Sequence, residues 1–140
     1  MKKYFYISIG GALGAICRFL LEGVHIYSYT GNIPLNTLII NVSGSFILAL
    51  ILTLALEIWN FDANIRLGIS TGFLGAYTTF STLCKETVKL LSNGDDFSAV
   101  SYITISAVLG LAAAYLGVVL SREVLSKLFH EQKEKDSEVD

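Results

Sequence analysis

Charge is what this 140-residue chain has least of: 16% of its residues are charged and 53% are hydrophobic, with a mean hydropathy of +0.59. Soluble domains are only about 45–50% apolar, so an ordinary water-soluble globule is excluded. The few charges are also unevenly spread, with four basic and six acidic residues in 121–140 and only 12 in the first 120. That is the distribution of membrane spans followed by a wet tail. Histidine is confined to the isolated His25 and His130, the carboxylates stand at expected helix ends or in the tail, and no phosphate-cradling Gly-Lys-Ser/Thr loop exists. No enzyme chemistry is expected. The net charge of −2 and pI near 5.6 offer no basic footprint for nucleic acid. The two cysteines, Cys17 and Cys84, stand 67 residues apart in apolar runs, which rules out a CxxC pair or a zinc site and makes each an expected small buried hydrophobe.

Where charge is missing, spans are expected, because about 20 mostly apolar residues cross the hydrocarbon layer as a helix. Charge-free gaps cover residues 4–17, 23–56 (apart from His25), 67–84 and 97–121 and predict helices near 4–24, 34–57, 66–91 and 98–121. Lys2 and Lys3 ahead of an apolar run resemble the start of a signal peptide. No small-residue cleavage site precedes Arg18 and Glu22, however, and three more apolar stretches follow, so the first stretch is expected to stay attached. Turn signals separate the spans at residues 29–34, which hold the lone proline Pro34, at 59–62, and at Ser92-Asn93-Gly94-Asp95-Asp96. Short loops make consecutive spans antiparallel and put both termini on one side. Lys2, Lys3, Arg66, Arg122 and Lys127 lie on that side, against mainly Lys89, with Lys85 deeper, on the other, which favours cytoplasmic termini. The organisation expected is a four-helix transmembrane domain over 1–121 and a charged tail over 122–140. In the tail the last helix continues on apolar residues 124, 125, 128 and 129, and the final ten residues are expected to be disordered.

The informative residues are polar but uncharged. Thr37, Asn41 and Ser45 recur every four residues and form a stripe on one face of the second span. Such a stripe can make interhelical hydrogen bonds, worth about 0.6 kcal/mol each in membranes; it can equally line a narrow path. In the third span Gly68, Gly72 and Gly75 precede Thr78, Thr79, Ser81 and Thr82, four hydroxyls within five residues. Hydroxyls after glycine can replace backbone hydrogen bonds where a helix is interrupted. Freed carbonyls at such an interruption can coordinate a cation, and the amides of the next half face an anion favourably. Gly68 and Gly72 also form a GxxxG pair, the mark of a packing face. In the fourth span Tyr102, Ser106, Gly110, Ala114 and Gly117 make a second stripe, open to the same two readings. Arg18 near mid-bilayer would cost about 2.5–3.5 kcal/mol without water or a partner. Glu86 has the same need, which an ion pair with Lys89 one turn on would meet.

At these residues the chain resembles the Fluc, or CrcB, family of fluoride channels. The matching segments are Gly10-Gly11-Ala12-Leu13-Gly14-Ala15-Ile16-Cys17-Arg18-Phe19, Thr37-Leu38-Ile39-Ile40-Asn41, and Gly72-Phe73-Leu74-Gly75-Ala76-Tyr77-Thr78-Thr79-Phe80-Ser81-Thr82. The resemblance implies an all-α integral membrane protein of the cell membrane, with four transmembrane helices and a third helix broken at its centre, assembling as an antiparallel dimer. It implies passive fluoride export through two pores at the subunit interface and a structural sodium ion on the two-fold axis. Gly75 and Thr78 would supply sodium-coordinating carbonyls. Asn41, Phe80, Ser81, Thr82, Leu83, Tyr102 and Ser106 would line the fluoride path, and Arg18 would stand in a vestibule. Glu86 matches an acidic family position of open role. Leu83 departs from the pattern, since the family motif continues with a second phenylalanine there, and leucine has no ring quadrupole. The partner subunit is thus either a second copy of the chain or a paired paralogue. The rival reading is a four-helix, dual-topology, proton-coupled drug or cation antiporter, which would need a carboxylate deep in the bundle.

Overall fold

The computed structural model describes residues 2–23, 31–57 and 62–137, with the side chains of 56–57 and 124–137 outside the description. Helix α1 covers Lys2–Glu22 and α2 covers Leu35–Glu57. A third segment opens with α3 (Ala63–Leu67), widens into a π-helical stretch (Gly68–Leu74), tightens again in the short α4 (Gly75–Tyr77) and breaks. Beyond the break run α5 (Phe80–Ser92) and the long α6 (Asp96–Ser137). Every element among the described residues is helical. Three helices, α1, α2 and the first 28 residues of α6, are long and apolar enough to cross a membrane. The segment 63–92 matches the expected third span in position, but the break divides it into two shorter pieces, neither long enough to cross alone.

The helices pack as two parallel pairs. Thr37 and Leu38 of α2 lie at the level of Tyr102 of α6, Ser45 at Gly110, and Leu50 at Ser121, so the two helices run in the same direction. Ser121, almost fully buried, ties the pair with its single hydroxyl hydrogen shared between Leu50 O (2.9 Å) and Gly117 O (2.8 Å). In the other pair α1 lies directly on the π-helical stretch. A methyl at Gly10 or Gly14 would strike the Gly68 or Phe73 carbonyl, and one at Gly72 would strike the Ile7 backbone. The expected small-residue packing face is therefore real, and α1 is the helix it receives. Close backbone approach of this kind substitutes for the hydrophobic effect, which lipid does not supply between helices.

Two small cores result. Leu38, Leu90, Ala99 and Tyr102 join α2, α5 and α6; Ile40, Leu74 and Tyr77 join α2 to the π-helical stretch and α4, with Cys17 of α1 against them. Large apolar residues elsewhere, including Phe5, Phe19, Phe97, Leu111 and Tyr115, face outward. Water would make that surface a liability; lipid or a partner subunit makes it ordinary.

The turn at 92–96 forms as expected. Gly94, at φ +77°, allows Gly94 N–H to reach Leu91 O and Asp95 N–H to reach Leu90 O, both at 3.0 Å, which closes α5. Asp95 then receives the Ser98 N–H at the start of α6 and the Asn32 amide at 2.6 Å. The Asn32 hydrogen bond, reinforced by Ser98, holds the Asp95 carboxyl below its ordinary value of 3.8. Of the other two expected turns, residues 31–34 are described and non-helical and Asp62 caps α3, while 29–30 and 59–61 lie outside the described residues.

Two expectations need correction. Cys84 is exposed on α5, because it points away from the α2 and α6 contacts that bury Thr87 and Leu90, while Cys17 is partly buried as expected. The tail was expected to lose order after residue 130, yet α6 continues through Ser137. Glu131, Lys133, Glu134 and Lys135 are strong helix formers, and Glu131 and Lys135 stand in the favourable i,i+4 order. Low hydrophobicity alone misjudged that stretch.

Candidate functional site

The break is local and well defined. Thr78 has ψ 156° and Thr79 has φ −144° and ψ 112°, both extended, between two helical pieces. Hydroxyls hold its two edges, as the Thr/Ser cluster predicts. Thr78 Oγ1 donates to Leu74 O at 2.9 Å and finishes α4, while Thr79 Oγ1 accepts the Thr82 N–H at 3.2 Å and caps α5. Thr79 Oγ1 also donates to Thr82 Oγ1 at 2.9 Å. Each hydroxyl carries one hydrogen, so Thr82 keeps its own for another acceptor.

Asn41 reaches the break from α2. Its Oδ1 accepts the Thr79 N–H at 2.8 Å and its Nδ2 donates to Thr79 O at 3.0 Å. The side-chain amide thus pairs with the Thr79 peptide groups as a neighbouring strand would, and satisfies a backbone that the broken helix cannot. Nδ2 has two hydrogens, and this pairing leaves one. Asn41 thus makes the interhelical bond of the first reading and retains one donor.

Beside it lies an open-sided cleft of about 300 Å³ lined by Asn41, Gly44, Ser45, Gly75, Thr78 and Phe80, with further residues from α2 and the π-helical stretch. Phe80, first residue of α5, is 78% exposed. Gly75 has no atom near the position of a Cβ. Six of the residues singled out in the sequence, Asn41, Ser45, Gly75, Thr78, Thr79 and Phe80, therefore share one cleft.

The others lie elsewhere. Ser81 is exposed at the start of α5, within 3.3 Å of Thr79 Oγ1. Leu83 packs against the Leu38–Tyr102 core and is not among the residues lining the cleft. Tyr102, 0% exposed, donates to Glu86 Oε2 at 2.7 Å, and Thr37, 2% exposed, donates to Glu86 Oε1 at 3.0 Å. Ser106 donates to the Tyr102 carbonyl at 2.6 Å. In this arrangement the hydroxyl hydrogens of Tyr102, Thr37 and Ser106 are all engaged. Glu86 does not pair with Lys89, contrary to the ion pair considered from the sequence; the two hydroxyls from α2 and α6 take both carboxylate oxygens, and Lys89 stays exposed. Arg18 meets its need with Glu22, 3.8 Å away one turn on, near the end of α1. With both side chains about a third exposed, such a pair is worth only about 0.3–0.5 kcal/mol.

Three contributors escaped the sequence reading. Ser43, Gly44 and Tyr77 touch the break or its edge: Tyr77 OH is 2.8 Å from Ser43 Oγ, and Gly44 lies against Thr78 and Tyr77. The available signal was their position, since 43 and 44 follow Asn41 on α2 and 77 precedes the hydroxyl cluster. A group of three or more His, Cys, Asp or Glu residues able to hold a metal is absent among the described residues.

The family described as CrcB-like protein, Camphor Resistance (CrcB), matches residues 5–118. The chain is 41% identical over 123 residues to the fluoride-specific ion channel FluC of Sulfurihydrogenibium sp., covering 87% of this chain and 98% of that protein. It is 41% identical over 125 residues to the FluC of Acidobacterium capsulatum (89% and 99% coverage) and 40% identical over 125 residues to that of Geobacter sulfurreducens (89% and 100%). With the match running from the start of α1 through the membrane part of α6, this multi-pass membrane protein belongs to the CrcB family.

Proposed function

We propose that the chain is a fluoride-selective channel that passively exports fluoride from the cytoplasm through pores formed when two subunits pack antiparallel. Similar relatives are named fluoride-specific ion channels. The observation that carries the reading is the cleft at the break, where a spare Asn41 amide hydrogen and the exposed Phe80 ring stand together without a charged side chain. Fluoride is small and strongly hydrated, so it leaves water only for close donors. A neutral amide and hydroxyls supply them without the grip of a lysine or arginine, and a ring edge adds partial positive charge. Conduction requires this balance of entry and release.

The cleft is open on one side, and Phe80 is bare in the single subunit. Each subunit is a four-span bundle in which the segment 63–92 crosses as a broken helix, and a second subunit closes the cleft. Ser81 and Thr82 extend the path; Leu83, Tyr102 and Ser106, which the family resemblance also assigns to it, belong to the joint around Glu86, and Arg18 raises the anion concentration at the mouth. The backbone carbonyls of Gly75 and Thr78 fit a sodium ion: they are neutral oxygen donors at a helix end, in a place without carboxylates, where a divalent ion would find little charge to hold it. Bound there, sodium would lock the two breaks against each other.

The antiporter reading keeps one supporting observation, the carboxylate of Glu86 inside the bundle. Efflux from potassium-loaded liposomes with valinomycin distinguishes the two. A channel releases fluoride with the membrane potential whatever the pH gradient; an exchanger follows the pH gradient. Release from liposomes holding this chain alone identifies a homodimer, and release only after a second chain is added identifies a paired assembly.

A further inference from the structure

Of the two extended residues at the break, Thr78 keeps one helical hydrogen bond, its N–H to Leu74 O at 3.0 Å, and the Thr79 N–H has none, so something outside the third segment must hold the backbone there. Helix α2 does so at three consecutive residues and by three different means. Ser43 Oγ donates to Ile40 O at 3.1 Å, which leaves the Tyr77 phenol to donate to Ser43 at 2.8 Å. Tyr77 is buried and stacks on Phe73, with ring centroids 6.0 Å apart, so this bond fixes the last turn of α4. Gly44 receives Thr78: a Cβ there would collide with Thr78 Cγ2 and come within 3.2 Å of the Tyr77 ring. Asn41 pairs with the Thr79 peptide. Positions 41 and 44 are neighbours one turn apart on α2, and 43 adjoins them.

We propose that Ser43 and Gly44 are positioning residues of the conduction site: they set where α2 lets the 77–79 backbone stand, and through it the carbonyls of Gly75 and Thr78 and the ring of Phe80. This rests on the channel reading above. Neither residue need touch an ion for this role. Gly44 is required as an absence, a notch the width of one methyl group, which explains a glycine inside an otherwise bulky apolar helix.

The test is a steric rescue. Gly44→Ala should fill the notch and push Thr78 away, while Thr78→Ser removes the opposing Cγ2 methyl and retains both the hydroxyl bonded to Leu74 and the backbone carbonyl. Fluoride efflux from liposomes is compared for the wild type, Gly44→Ala, Thr78→Ser and the double variant, each first checked for a monodisperse assembly. Efflux should fall at least roughly tenfold in Gly44→Ala, as expected of an overfilled contact, and the double variant should return to within about threefold of Thr78→Ser alone, the signature of direct coupling. Normal efflux in Gly44→Ala, or a loss that Thr78→Ser does not repair, overturns the proposal. Should Gly44→Ala fail to assemble, recovery of assembly and efflux in the double variant supports the notch, and failure of both variants overturns it. Absence of fluoride efflux in the wild type would count against the channel reading itself, a different result from any of these.

Discussion

Two polar clusters occupy the same face of α2, four residues apart, and handle their hydrogen bonds in opposite ways. Around Asn41 every partner is neutral, the amide pairs with a peptide, and one donor is left over. Around Glu86 a carboxylate takes up the hydroxyls of both Thr37 and Tyr102. The first arrangement has a surplus of donors and no charge, which suits a passing anion; the second has a negative charge and its nearest donors engaged, which suits a rigid joint between α2, α5 and α6. Polarity in a membrane helix therefore does not identify a path by itself. What distinguishes the two sites is whether donors outnumber acceptors.

That contrast makes graded predictions. Asn41→Ala should have the largest effect, because it removes the spare donor and leaves the nearly buried Thr79 peptide unpaired. Fluoride efflux from liposomes should fall roughly 100-fold, the equivalent of about two or three lost hydrogen bonds. Phe80→Leu keeps bulk but removes the ring edge, and should cost roughly tenfold in efflux, in line with the ~0.5–1.5 kcal/mol of an aromatic contact. Tyr102→Phe removes one of the two donors to Glu86. Its effect should appear as stability, about 1–2 kcal/mol in a denaturation series, with a smaller change in efflux than Phe80→Leu. An efflux loss larger than that of Phe80→Leu would move Tyr102 from the joint to the path and erase the contrast.

The smallest effect belongs outside both clusters. The Asp95 carboxyl is held below 3.8 by Asn32 and Ser98, so its contribution is fully present above that value and is lost as pH falls through the lowered one. Asp95→Asn should slightly reduce thermal stability at neutral pH, and the difference from wild type should disappear in strong acid.

Much of this was legible in the sequence, for identifiable reasons. Missing charge located α1, α2 and α6, since burial of ions in lipid is costly whatever the fold. The break was legible because the four hydroxyls at 78–82 after Gly75 can replace the backbone hydrogen bonds of an interrupted helix, and because the family resemblance implies it. The π-helical stretch at Gly68–Leu74 was not, because an extra residue per turn leaves the apolar pattern of so short a segment unchanged. The Glu86 partners were hidden for another reason: a charge four or fewer residues away is visible in a sequence, whereas Thr37 lies 49 residues distant. Gly44 illustrates the same limit, since a notch has meaning only once the methyl that enters it is known.

The central claim is that neutral donors and a ring at the broken helix select a small, hard anion. Its most direct test is the ratio of fluoride to chloride release from liposomes carrying the assembled channel, followed with ion-selective electrodes. The account predicts rapid fluoride release with chloride retained; release of both at similar rates, or of neither, would contradict it.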